Sequence, residues 1–134
     1  MILVDTGPLV AVIRPDDQYH ERCTAALALL HEPMLTVWPA ITEAMYFLNF
    51  SVDAQDALWE IIERGTVRVA DLDPDDCARM RYLMRKYRDL PMDFADAGLV
   101  ALAERERVHR IFTTDQRGFS IYKPAGMKRF EIIP

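Results

Sequence analysis

Long apolar runs are missing from this sequence, and none approaches the roughly 18–20 residues that a bilayer-spanning helix needs. The opening residues also lack the basic stretch and small-residue cleavage site of a secretory leader, so a cytoplasmic location is expected. Cysteine is nearly absent. Cys23 and Cys77 are far apart, form no CxxC and have no histidine partner at zinc-ligand spacing, which leaves two packed thiols in a reducing compartment. The three histidines, His20, His31 and His109, are scattered and read as surface or packing residues. Gly/Ser linkers, low-complexity tracts and internal repeats are lacking too, so residues 1–134 are expected to form one domain.

What is present is an ordinary globular mixture, 51% apolar and 28% charged, long enough to bury a core. The net charge of −5 hides an asymmetry. Residues 1–78 carry 4 basic and 14 acidic side chains, whereas residues 79–134 carry 12 basic and 7 acidic. Solvated helix faces account for such a split, but so does an acidic pocket set in a basic surface that meets nucleic acid.

Short β-type runs alternate with longer helical ones. Ile2–Asp5 reads as a buried strand, Thr6–Ile13 as a short helix ending near Pro15, and Asp16–His31 as a second helix. Met34–Trp38 is a β-rich run closed by Pro39, which suits the first turn of a helix reaching about Asn49. Ser51 can cap the next helix, Gly65 closes it, and the run "TVRVA" is a third strand. Asp73 and Pro74 start a helix to about Arg88, and another runs from about Asp93 to Glu106. "RIFT" at 110–113 is a fourth strand and "RFEII" at 129–133 a weak fifth, with residues 118–128 expected as a loop. The alternation predicts an α/β sandwich: a central, mostly parallel four- or five-stranded sheet covered on both faces.

Ligands of such sheets bind beyond the carboxyl ends of the strands, where strand order reverses. Asp5 ends the first strand and Asp115 follows the fourth. Glu43 lies one turn into the helix after the second strand, and Asp93 and Asp96 share a face of the helix feeding the fourth. If strands one and four are neighbours, all these acids meet at one end of the sheet. Each has a plainer reading: Asp5 and Asp93 as helix caps, Glu43 as an ordinary polar residue, Asp115 as the start of a tight turn. Asp96 fits that explanation least, because "FADAGLVALA" is too apolar for a solvent face.

Carboxylates crowded together repel one another and resist ionisation unless a cation neutralises them. Mg²⁺ or Mn²⁺ suits an all-oxygen set, needs no histidine, and activates water toward a phosphodiester. Thr6, Thr113 and Thr114 are candidate hydrogen-bond donors to ligating carboxylates. Arg14, Arg117 and Lys123 are candidate contacts to a nucleic-acid backbone, RNA in the reading that the resemblance below implies. The triplet Asp5-Thr6-Gly7 also matches the signature of aspartic proteases, but Pro8 follows it and the chain is rich in helices, which excludes that class.

Four stretches carry a resemblance: "LVDTGPLVAV", "TEA" in the third helix, "DFADAGLVALA" and "IFTTDQRGF". In this order they resemble a PIN-domain protein, similar in size to the VapC-type toxins of bacterial toxin–antitoxin pairs. The resemblance implies a three-layer α/β/α sandwich and Mg²⁺- or Mn²⁺-dependent endoribonuclease activity leaving 5′-phosphate and 3′-hydroxyl ends. It further implies a homodimer silenced by a cognate antitoxin; the early helices with Trp59 are a candidate dimer contact, and Trp59 reads equally well as a core residue. The four acids it implies as catalytic and metal-binding are Asp5, Glu43, Asp96 and Asp115, with Asp93 an additional acid. A stand-alone RNA-processing nuclease and a non-catalytic binding module are the alternative readings of the same fold.

Overall fold

A computed structural model describes residues 1–134. Five strands form one parallel sheet: β1 (Ile2–Val4), β2 (Met34–Val37), β3 (Val67–Ala70), β4 (Arg110–Phe112) and β5 (Glu131–Ile133). Their spatial order is β3-β2-β1-β4-β5, so the chain winds outward one way from β1 and then restarts on its other side. Leu3 is in register with Leu35 on one flank and Ile111 on the other. The reversal of strand order therefore falls between β1 and β4, directly beneath Asp5 and Asp115.

Helices cover both faces because every central strand is apolar at successive positions, which a parallel sheet requires. Side chains alternate between the two cores. Leu3, Leu35 and Ile111 enter one core with the helices α5 (Pro74–Lys86) and α6 (Phe94–Glu106). Ile2, Val4, Met34 and Phe112 enter the other. That second core is closed by α1 (Thr6–Ile13), α2 (His20–Leu29), α3 (Trp38–Phe47) and α4 (Val52–Glu63). No helix is long and apolar enough to cross a membrane.

Several expectations shift by a few residues for local reasons. The second helix begins at His20 rather than Asp16, because the Asp17 carboxylate accepts from the Tyr19 N–H and holds a turn there. The second strand stops at Val37; Trp38 already opens α3, with Pro39 in its first turn. Ser51 caps α4 as expected, accepting from the Ala54 N–H at 3.2 Å. The main correction is α7 (Gln116–Ile121), a helix that runs into the first part of the stretch 118–128 expected as loop. Asp115 accepts from the Gly118 N–H at 3.0 Å and starts that helix. A Cβ at Gly118 would lie 2.6 Å from the same carboxylate, so the close approach needs glycine. Cys23 is buried, but Cys77 is exposed on α5, whose outer face meets solvent, and is not a packed thiol.

Candidate active site

Asp5 leaves the carboxyl end of β1 and caps α1, so both plain and functional readings of it hold at once. Its backbone N–H continues the sheet ladder to Phe112, and its Oδ1 accepts from the Thr6 N–H at 2.8 Å. Its Oδ2 accepts from the Thr113 hydroxyl at 2.7 Å. The same hydroxyl oxygen accepts from the Asp115 N–H at 3.0 Å, so one buried threonine fixes the separation of the two acids. Only β1–β4 adjacency makes that bridge possible, since its ends are 108 positions apart in the chain.

Glu43 comes from the second turn of α3, and its Oε2 accepts from the Thr6 hydroxyl at 3.2 Å. Asp93 caps α6 and accepts from the Asp96 N–H at 2.8 Å. Asp96, in the first turn, is 9% exposed and accepts from the Tyr122 hydroxyl at 3.1 Å. Sequence reasoning misses Tyr122, because its phenol reaches Asp96 only once α7 has turned the chain back over α6.

Asp5, Glu43, Asp93, Asp96 and Asp115 all line one cavity of about 450 Å³, together with Thr6 and Thr114. Thr6 and Thr113 donate to carboxylates as expected. Thr114 packs against Gly7 instead: a Cβ there would stand 2.2 Å from its hydroxyl oxygen. Arg14 lines the same cavity, paired with Asp16 at 2.8 Å and lying over the Phe50 ring. Arg117 lines an adjoining recess of about 300 Å³ that shares Thr114 and Asp115 with the acidic cavity and also holds Arg22. Lys123 is not brought to either; it lines a separate groove with Arg107 and Lys128.

The acids are held in tension. Burial pushes Asp5 up to about 6, despite the hydrogen bonds from Thr113 and Thr6 that favour its anion. Burial and the neighbouring Asp93 push Glu43 up to about 7. Asp96 rises furthest, to about 8, through burial and then the charges of Asp5 and Asp93. Tyr122 is driven above its ordinary value by burial and by Asp96, so it remains a donor.

No three of these carboxylates close into a ready coordination shell. Their chemistry nevertheless fits a hard divalent cation, which takes one or two carboxylates directly and keeps waters for the rest of its sphere. The donors are all oxygen, and their proton affinities, raised first by burial and then by neighbouring carboxylates, would fall beside such an ion.

Residues 2–123 match the family model for the PIN domain. Ribonuclease VapC26 of Mycobacterium tuberculosis (strain ATCC 25618 / H37Rv) is 30% identical over 139 residues, covering 99% of this chain and 100% of the relative. The crystal structure of Mycobacterium tuberculosis VapC20, described as a sarcin-ricin loop cleaving toxin, matches with a TM-score of 0.76 at 19% identity. It covers 83% of this chain and 87% of its own. A toxin–antitoxin complex from Klebsiella pneumoniae matches with a TM-score of 0.71 at 16% identity, over 100% of this chain and 97% of that one. Strand order, family model and a relative matched along its full length agree: the chain belongs to the PIN domain family.

Proposed function

We propose that this protein is a divalent-metal-dependent endoribonuclease of the VapC type, the toxin of a toxin–antitoxin pair. The observation that carries the reading is the single cavity at the β1–β4 switch point, lined by six acidic residues with Asp17 among them, three of which have raised proton affinities. None of Asp5, Glu43, Asp93, Asp96 and Asp115 is paired with a Lys or Arg, and acids with raised proton affinity in a cleft mark a candidate functional site. The kinship to VapC ribonucleases supports the choice of RNA as substrate and of an antitoxin as partner.

In this reading Asp5, Asp96 and Asp115 hold Mg²⁺ or Mn²⁺, directly or through water. The ion, when bound, supplies charge that stabilises an attacked phosphate and lowers the pKa of bound water. Glu43, held beside these acids by the Thr6 hydroxyl, would accept the proton of a water attacking phosphorus. Asp93 positions Asp96 through the reciprocal cap of α6. Thr113 holds Asp5 and Asp115 at a fixed separation, and Tyr122 keeps the Asp96 carboxylate turned inward. Arg14, Arg22 and Arg117 rim the acidic cavity and offer contacts to flanking phosphates. The water enters in line with the departing 3′ oxygen, leaving 5′-phosphate and 3′-hydroxyl ends. The protein acts in the cytoplasm as a homodimer.

The test is cleavage of a mixed RNA pool with Mg²⁺ or Mn²⁺, by the wild type and by Asp96→Asn. Wild-type cutting that is lost in the variant and in EDTA is expected. Equal cutting by both proteins refutes the site assignment. Growth arrest on expression, relieved by the neighbouring open reading frame, tests the toxin role.

A further inference from the structure

A second cavity, of about 510 Å³, shares Glu43 with the acidic one and otherwise has a different character. Trp38 and Phe94, 45% and 54% exposed, open α3 and α6 and line this cavity together with Leu72. Trp38 precedes Glu43 by five residues and Phe94 precedes Asp96 by two, so the segments that carry the acids also carry the aromatics. Large aromatic rings left this exposed add little to the core, whereas flat ring faces are the usual platform for unpaired bases.

The polar groups narrow the occupant. No Arg or Lys lines the cavity, and its charged residues, Glu43 and Asp71, are both acidic, so a phosphate is disfavoured and a group rich in N–H donors is favoured. Thr42 is already engaged, its hydroxyl donating to the Trp38 carbonyl at 3.0 Å. Asp71 is exposed and its carboxylate forms no hydrogen bond; only its main-chain carbonyl accepts, from Arg105 at 2.7 Å. A free carboxylate beside aromatic faces matches a base that presents two adjacent N–H donors. Guanine does so with N1–H and the 2-amino group, whereas adenine, cytosine and uracil do not.

We propose that the cavity between Trp38 and Phe94 is a nucleobase subsite that takes an unpaired guanine next to the phosphate cut in the acidic cavity. The proposal rests on the ribonuclease reading and adds to it a sequence preference. The base stacks on the aromatic rings, Asp71 pairs with its Watson–Crick edge, and the strand passes Glu43 into the acidic cavity.

The chain has 2 tryptophans, so a Trp59→Phe protein reports on Trp38 alone. That protein is titrated by fluorescence with guanosine, inosine, adenosine and cytidine, with and without Asp71→Asn. Saturable quenching by guanosine is expected, with inosine, which lacks the 2-amino group, weaker on the order of tenfold. Asp71→Asn should remove that difference. Equal quenching by all four nucleosides overturns the proposal, as does a guanosine preference that survives Asp71→Asn. So does Trp38 emission that follows protein concentration and not nucleoside, since a second copy of the chain then covers the cavity. Selective guanosine binding by a protein that leaves RNA uncut keeps the subsite and refutes the ribonuclease reading. RNA cutting lost in Asp96→Asn, with no nucleoside preference, refutes the subsite alone.

Discussion

Replacing Asp96 with asparagine should stabilise the metal-free protein at neutral pH, the opposite of the usual result for a buried residue. Asp96 titrates near its ordinary 3.8 in the unfolded chain but at about 8 in the fold. Between those values the folded state holds a proton that the unfolded state has released. Stability is therefore fully present below about pH 4 and is lost as pH rises toward about 8. The loss is ~1.4 kcal/mol for each pH unit and each such proton. Between about pH 5 and pH 7, Asp96 alone then accounts for at most ~3 kcal/mol. In a chain of this size that corresponds to roughly 10 °C in Tm. Asparagine is neutral like the protonated acid and keeps an acceptor for the Tyr122 hydroxyl, so it removes this slope while preserving the contact. Thermal melts in EDTA at about pH 5, 6 and 7 measure it. The wild-type Tm should fall more steeply than that of Asp96→Asn, with the residual slope coming from Asp5 and Glu43, which are raised in the same direction. Parallel curves would refute the account of a strained carboxylate.

Other perturbations read different parts of the same arrangement. Gly7→Ala should cost ~1–3 kcal/mol in chemical denaturation, because its Cβ meets the Thr114 hydroxyl oxygen at 2.2 Å; the added Thr114→Ala change should recover most of that loss, and additive effects would exclude the clash. Thr113→Val should cost ~1–3 kcal/mol, leaving the Asp115 N–H without its acceptor, and should raise the Asp5 pKa further by removing a bond to its anion. A carboxyl titration followed by NMR that leaves Asp5 unmoved would count against that bridge. Adding Mg²⁺ to chelated protein should raise Tm at about pH 7 far more than at about pH 5, since protons compete for the same oxygens; an equal rise at both would place the ion elsewhere. Ser51→Ala, distant from the acids, should cost ~1 kcal/mol by uncapping α4 and leave metal binding unchanged by calorimetry.

The order of elements was legible from the chain because it depends on local chemistry. Alternating β-branched runs and amphipathic stretches set strands and helices, Pro39 and Pro74 mark first turns, and Ser51 supplies a cap. The apolar setting of Asp96 likewise marked it as something other than a surface acid. The tight turn at Asp115 was legible and Gly118 closes it, but its continuation as α7 was not, because six residues are too few to show a helical period.

What only tertiary structure decided was adjacency. The sequence specifies an acid at the end of β1 and another after β4, but nothing local says that those strands pair, since strand order follows from which faces bury together. Pairing brings Thr113 to Asp5 and sets the buried Asp5 at the cavity that Glu43, Asp93, Asp96 and Asp115 also line. It also decides that Lys123 faces away while Tyr122, one residue earlier, reaches Asp96. Residue types are a property of the chain, whereas proton affinities depend on neighbours and burial, and those exist only once the sheet has closed.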